Sequence, residues 1–487
     1  MTSEPGSTPG STPGQPGSRE KTTAQAILIS IVAAVGGFLF GFDSSVINGA
    51  VKAINSQFGL ENSPLLSGFA VAVALLGSAV GAWFAGPAAD RYGRVRVMLI
   101  AAVAFAVSSV LSGLAFAVWD LILWRFIAGI GIGIASVIAP AYIAEIAPAR
   151  IRGSLASLQQ MAIVLGIFVA LLSDALLQYS AGGAANELFL GAEAWRWMFI
   201  VGVIPSVIYG LLALRIPESP RYLVAKGRLD EAGVVLGRVL GTSADAVQHK
   251  VQEIAESLRR EDKPSLRDLR GHAAGLRPIV WVGILLSVFQ QFVGINVIFY
   301  YSTTLWQAVG FSENDSFIAS VINALINVVS TIVAIIIVDR VGRKPMLLGG
   351  SAGMVVTLAV MAVAFSQSVL TVGADGKESP SLPGVWGPVA LVAANLYVVS
   401  FAVTWGPVVW VLLGEIFPNW LRAAALAVAA AAQWIANFIV TVSFQALADL
   451  SLTFAYGLYA LMALLSFFFV MRFVQETKGK ELEEMVG

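Results

Sequence analysis

Twelve apolar stretches run along this chain, each long enough to cross a bilayer, which takes about 20 apolar residues. They lie at about 24–50, 65–89, 96–118, 120–144, 154–178 and 193–215, then 277–302, 316–338, 345–368, 386–413, 422–447 and 454–474. Hydrocarbon offers no water to backbone N–H and C=O groups, so stretches of this length are expected as helices. The expected class is an all-α membrane protein. The charged fraction of 12% agrees, with a mean hydropathy of +0.80; a soluble domain carries about 25%. Net charge is zero and points to no nucleic-acid partner. There is no cysteine, so disulfides, thiolate metal sites and a cysteine nucleophile are excluded. The two histidines, His249 and His272, fall in a polar stretch and are too few for a metal cluster. No cofactor is expected, and no nucleophile–base pair marks an enzyme.

The chain repeats itself. Asp90-Arg91-Tyr92-Gly93-Arg94 recurs as Asp339-Arg340-Val341-Gly342-Arg343-Lys344. Glu145-Ile146-Ala147-Pro148 with Arg152 recurs as Glu415-Ile416-Phe417-Pro418 with Arg422. Pro217-Glu218-Ser219-Pro220 is echoed by Glu476-Thr477-Lys478-Gly479. Three motifs in matching order define two six-span halves, 24–215 and 277–474, joined by a charged linker, 216–276. The Gly/Ser/Thr/Pro-rich tail 1–23 has nothing to bury and is expected to be disordered; it does not read as a signal peptide. A short tail, 475–487, closes the chain. Basic residues gather in alternate loops: Arg91, Arg94 and Arg96, Arg150 and Arg152, Arg340, Arg343 and Lys344, and Arg422. The positive-inside rule then places these loops, the linker and both termini in the cytoplasm of a cell-membrane protein.

Two charges fall inside apolar spans, where an ionisable residue marks a functional site by default. Asp43 lies about 28 Å along span one from Ala24, and Arg125 about 8 Å from the start of span four, at 1.5 Å per residue. The spans run in opposite directions, so both sit in the outer half, at depths compatible with contact. Burial favours the neutral carboxyl and a guanidinium favours the charged one. A pair so poised can take up and release a proton. The plainer reading is a static buried ion pair, although such pairs stabilise poorly. Asp174, near the outer end of span five, reads as a solvated acid and a third possibility.

The paired D-R-x-G-R loops, P-E-S-P-R, Gln290-Gln291-Phe292-Val293-Gly294-Ile295-Asn296 and the closing E-T-K-G resemble the sugar porter family of the major facilitator superfamily, over about Gly36–Lys480. The chain looks most like bacterial proton-coupled hexose symporters, with wording similar to actinobacterial glucose permeases. The resemblance implies the major facilitator fold: twelve transmembrane helices in two pseudo-symmetric six-helix bundles with cytoplasmic linker helices. It implies that a monosaccharide and a proton are the partners, that Asp43 and Arg125 couple them, and that the protein is a monomer in the lipid bilayer. Where one bacterial xylose symporter carries a second Gln on span five, this chain has Ile167, as glucose facilitators do, which leans the substrate toward glucose.

Span seven carries the sugar site most directly. Primary amides both donate and accept hydrogen bonds without charge, which suits sugar hydroxyls in a dry pocket. On an ideal helix Gln290 and Asn296 point about 120° apart; they converge if the helix loosens at Gly294. The resemblance implies that Gln290, Gln291 and Asn296 hold the sugar, and adds Gln160, Asn327 and Gln433. Trp410 and Trp434 would offer aromatic faces, with Phe40 closing the pocket. Amides also glue transmembrane helices together, and Asn323 or Asn327 fits that role as well. Tryptophans also anchor at membrane interfaces, but Trp410 reads as too deep for that. Arg91, Arg94, Glu145, Arg152, Glu218, Arg340, Arg343, Glu415, Arg422 and Glu476 form a duplicated set of charges. The cations alone satisfy topology; the acids point to ion pairs that hold a cytoplasmic gate. Proton-driven uptake of a monosaccharide by alternating access is the expected function. The rivals are an uncoupled facilitator and a membrane sugar sensor, against which the short tails argue.

Overall fold

A computed structural model describes residues 16–146, 152–240, 243–260, 269–273, 275–372 and 378–477. Arg150, the N-terminal tail before residue 16 and residues 478–487 lie outside the described residues, as do the side chains of Arg152, His272, Asp339 and Arg422. Twelve helical spans are present: Ile27–Phe58, Pro64–Tyr92, Arg94–Gly113, Val118–Ile146, Leu158–Ala181, Ala194–Ala213, Pro278–Ala308, Glu313–Val338, Arg343–Ser366, Trp386–Ile416, Ala424–Leu450 and Leu452–Phe473. Each coincides with an expected stretch, and several run a turn or two beyond it. The outer surface is apolar: Phe84, Val103, Ile204, Val329 and Phe468 are half-exposed or more. Water would not tolerate so wide an apolar belt, whereas lipid does.

The first half comprises α1 (Pro16–Phe58), α2 (Pro64–Tyr92), α3 (Arg94–Gly113), α4 (Val118–Ile146), α5 (Arg152–Ala181), α6 (Ala194–Val201) and α7 (Val203–Ala213). The linker carries α8 (Pro220–Ala225), α9 (Leu229–Leu240) and α10 (Ala244–Arg260). The second half comprises α11 (Pro278–Phe292), α12 (Ile295–Ala308), α13 (Glu313–Val341), α14 (Arg343–Ser366), α15 (Trp386–Ala402), α16 (Trp405–Ile416), α17 (Asn419–Leu450) and α18 (Leu452–Phe473). Spans six, seven and ten are thus each built from two helices. Two short antiparallel hairpins, Glu187–Phe189 with Ala192–Glu193 and Val369–Val372 with Glu378–Ser381, lie in connections between spans. The face from which the linker hangs is the linker face; the opposite one, at which α1 ends, is the far face.

Small residues set the packing within the first half. Gly77 and Gly81 of α2 meet the carbonyls of Phe126 and Ile130, while Gly129 and Gly133 of α4 meet those of Ala74 and Ser78. Any Cβ at these four positions would collide with the facing backbone. Without water to drive helices together, such close van der Waals approach is a main source of association in a bilayer. The linker helices bury an apolar stripe, Ala232, Val235, Leu236, Val239, Val247 and Val251, in the cluster that also holds Ile146, Ile216 and Leu223. The most extensive packing between the halves is of α1 on α12, α2 on α17 and α5 on α13.

Candidate functional site

Gly294 separates α11 from α12. Its φ of +84° suits glycine and costs any other residue, and a Cβ there would lie 2.7 Å from the Tyr459 ring. The break brings the span-seven amides into one chain. Asn296 Nδ2 donates to Gln291 Oε1 at 2.5 Å, and Gln291 Nε2 to Gln290 Oε1 at 3.4 Å. Gln433 Nε2 from α17 donates to the same oxygen at 2.8 Å. Gln290 Nε2 in turn donates to the carbonyls of Trp405 and Gly406 at 3.0 and 3.2 Å. Those carbonyls lie in the first turn of α16, just past the break of span ten. Four amides from two spans therefore end on the backbone of a third. Gln433 Oε1 has no partner among the described residues, so the chain presents a free acceptor.

Aromatic residues flank this chain. Phe40 of α1 meets Trp434 edge-on at 5.5 Å, joining the two halves at the residue next to Gln433. Trp410, read from the sequence as deep, is 44% exposed, one turn past Gly406. Its buried neighbour is Trp405, whose indole N–H donates to Leu347 O and Ser351 Oγ, both at 3.0 Å, and so ties α16 to α14. Gln160 is half-buried on α5 and no hydrogen bond joins it to the amides among the described residues. Asn327 is buried on α13. Asn323, one turn away, is buried with both polar side-chain atoms unpartnered among the described residues; it glues no helix here.

Asp43 and Arg125 meet, as their depths allow. Arg125 Nη1 donates to Asp43 Oδ1 at 2.5 Å and Nη2 to the Asp43 carbonyl at 3.3 Å. Both residues are buried, and the guanidinium lies 5.5 Å from the Phe199 ring. Asp43 Oδ2 and Arg125 Nε have no partner among the described residues. The pair is therefore held by one charged bond rather than a two-pronged one, leaving an oxygen free to take a proton. Tyr300 of α12 lies against Ser44 and Asn437 and close to this pair. It connects the charges to the helix that carries the amides, a link that spacing along the chain does not show.

Asn48, five residues after Asp43, was not singled out by the sequence. It is fully buried and every hydrogen-bonding site of its amide is used. Nδ2 donates to Phe299 O at 3.0 Å and Ser302 Oγ at 2.9 Å. Oδ1 accepts from Thr303 N at 3.0 Å and Thr303 Oγ1 at 2.7 Å. These bonds clamp α1 to α12 across the halves. Nearby, Lys52 Nζ donates to Gln307 Oε1 at 2.7 Å, and Ala184 N donates to Glu313 Oε1 at 2.9 Å. All three links lie toward the far face, which is shut. Asp174 corrects the sequence reading. It is fully buried rather than solvated, at a point where Gly49 of α1, Met198 of α6 and Phe317 of α13 come close together.

The charged motifs build one device twice. Glu218 accepts from the backbone N–H groups of Arg94 and Val95 at 2.9 and 3.2 Å. Glu476 accepts from those of Arg343 and Lys344 at 3.1 and 3.0 Å. Each carboxylate thus satisfies the free amides that open a helix, where the dipole favours negative charge. Arg94 pairs with Glu145 at 2.8 Å and Arg343 with Glu415 at 2.8 Å. Ser219 bonds Glu145, and Thr477 bonds Glu415. Gly93 and Gly342 face Glu218 and Glu476, where a Cβ would crowd the carboxylates. Each of these pairs joins elements of the same half. Arg91 and Arg340 are exposed; Arg91 lies 5.2 Å from the Tyr92 ring.

The family model described as "Sugar (and other) transporter" matches residues 29–486. The chain belongs to the sugar transporter family. It is 54% identical over 461 residues to the glucose transport protein of Synechocystis sp., covering 94% of this chain and 96% of that one. It is 37% identical over 488 residues to the D-xylose-proton symporter of Escherichia coli (strain K12), covering 94% of each. Among solved structures it resembles the E. coli xylose transporter XylE in a partially occluded inward-open conformation. There the TM-score is 0.79 at 35% identity, over 94% of this chain and 100% of that one. The fold is that of the major facilitator superfamily, and these relatives are transporters rather than enzymes.

Proposed function

We propose that the protein takes up a monosaccharide, D-glucose first, together with a proton, by alternating access. The observation that carries this reading is the chain of four amides, Asn296, Gln291, Gln290 and Gln433, laid across two helix breaks beside a buried acid–base pair. Sugar hydroxyls replace the amide-to-amide bonds one for one, so binding costs little desolvation. Trp434, Trp410 and Phe40 offer aromatic faces to the ring, and Gln160 on α5 and Asn327 on α13 are assigned to sugar hydroxyls as well. The identity to a protein named for glucose transport supports the substrate, and relatives named as proton symporters support the proton.

Residues 24–215 and 277–474 act as the two rocking halves, with 216–276 a cytoplasmic linker and both termini inside. The far face is then extracellular. Protonation of Asp43 weakens its hold on Arg125, and Tyr300 carries the change to α12. The charged devices at Glu145, Glu218, Glu415 and Glu476 stiffen the cytoplasmic end of each half, so that each moves as a unit. A facilitator without protons is the second reading, favoured by Ile167 alone. Counterflow in proteoliposomes with a panel of labelled monosaccharides, with internal pH followed in the same vesicles, tests both. Sugar exchange with no proton movement would select the facilitator; no exchange of any monosaccharide would end the reading.

A further inference from the structure

The far-face interface holds a buried acid that neither the amide chain nor the Asp43–Arg125 pair employs. Asp174 of α5 is at 0% exposure. Neither of its oxygens has a side-chain partner among the described residues. A methyl added at Gly49 of α1 would lie 2.9 Å from Asp174 Oδ2, from Met198 Sδ of α6 and from Phe317 Cε1 of α13. Four helices meet at this point, three from the first half and one from the second. Gln178, one turn further along α5, is also buried, and its Oε1 is an acceptor without a partner.

Every charged group facing this point is engaged elsewhere. On α1, Lys52 bonds Gln307 and Asp43 bonds Arg125 of α4. At α6, Arg196 pairs with Glu193 and donates to the Gly113 and Ala115 carbonyls. On α4, Asp120 accepts from the Trp124 indole N–H. On α13, Glu313 accepts from Ala184 N and Asp315 from Ser312. Among the described residues no cation is left for Asp174, and the Gly49 backbone lies against it. A carboxylate without a countercharge in apolar surroundings is among the costliest groups to bury, and a neutral carboxyl gains an O–H donor that it can turn toward a nearby acceptor.

We propose that Asp174 is a second proton-binding site, loaded when the far face closes and emptied to the outside when α13 withdraws. Closure buries the acid where α1, α5, α6 and α13 meet, so the closed state accepts only the protonated form. Opening exposes it, and the proton then equilibrates with the far-side solution. By linkage, acid on the far side favours closure. The inference rests on the alternating-access reading, which sugar counterflow reports separately.

The test uses the full chain with Asp43→Asn in every sample, so that Asp43 contributes no titration. Spin labels are placed at Glu61→Cys and Asn314→Cys, exposed positions on opposite halves of the far face; the absence of native cysteine makes the labelling unambiguous. In nanodiscs, the closed-to-open ratio rises as pH falls, by up to about tenfold per pH unit for a single proton. Adding Asp174→Asn, a nearly isosteric neutral side chain, removes that dependence and leaves the closed distance populated throughout. A protonated-carboxyl infrared band present in the Asp43→Asn protein and lost in the double variant supports the same assignment. A ratio indifferent to pH before Asp174 is changed, or equally sensitive afterwards, overturns it.

Discussion

Asn48→Ala should release the far face. The amide makes four bonds across the halves, to Phe299 O, Ser302 Oγ, Thr303 N and Thr303 Oγ1. Inside a membrane a polar interhelical contact is worth about 0.6 kcal/mol on average, so four come to about 2–3 kcal/mol. Thr303 Oγ1 keeps the Asn48 carbonyl at 2.7 Å as a second acceptor, which holds the loss within that figure. At about 1.4 kcal/mol per tenfold, the closed-to-open ratio falls roughly 30- to 150-fold. The alanine leaves no large cavity at the helix backbone, so folding should persist. The assay is the closed-to-open ratio read from spin-label distances between Glu61→Cys and Asn314→Cys, with and without Asn48→Ala; no native cysteine competes. An unchanged ratio would mean that the far face is held by apolar packing of α1, α5 and α13 rather than by this amide, and the argument from hydrogen bonds would fail.

Asp43→Asn should abolish accumulation of sugar against a gradient while preserving exchange, because an amide fills the same volume but carries no transferable proton; a variant that still concentrates sugar removes Asp43 from coupling. Gln290→Ala should weaken sugar binding by about 1–3 kcal/mol, the cost of unpaired polar groups in a dry site, and unchanged calorimetric affinity would take the amide chain out of the site. Glu218→Ala and Glu476→Ala should each lower thermal stability by about 0.5–2 kcal/mol, the usual value of an N-terminal helix cap, and by similar amounts because the two devices match; a loss confined to one half would show that the symmetry is not energetic. Glu145→Gln should lower thermal stability as well, because it breaks the Arg94 pair inside the first half, and should leave linker-face spin-label distances unchanged; longer distances there would show that the pair also ties the two halves together.

The twelve spans were legible because bilayer hydrocarbon punishes any other pattern, and the duplicated motifs build matching charged devices at Glu218 and Glu476. Span seven was legible for a more specific reason: three amides close together on one apolar helix, with a glycine between them, leave few alternatives to a polar site at a break. The misses share one cause. Asn48 is a single amide near the end of a span, and taken alone it looks like helix glue; its four partners lie about 250 residues away. Asp174 was placed by counting along α5, which gives depth but not what surrounds it, and Gly49, Met198 and Phe317 come to that point from three other helices. Glu218 and Glu476 were recognised as recurring acids, but their targets, the backbone amides that open α3 and α14, bear no side-chain signature at all.

These misses are also the contacts that make the molecule asymmetric between its faces. On the linker face the charged devices pair within a half, Arg94 with Glu145 and Arg343 with Glu415, so moving one half against the other need not break them. On the far face the bonds of Asn48, Lys52 and Glu313 all run between halves, so opening must break them. Under the proposed rocking of the two halves, the pivot falls in the middle, where Phe40 of α1 meets Trp434 of α17 beside the amide chain. A bound ligand changes the balance between two arrangements only by the bonds it gains in one over the other.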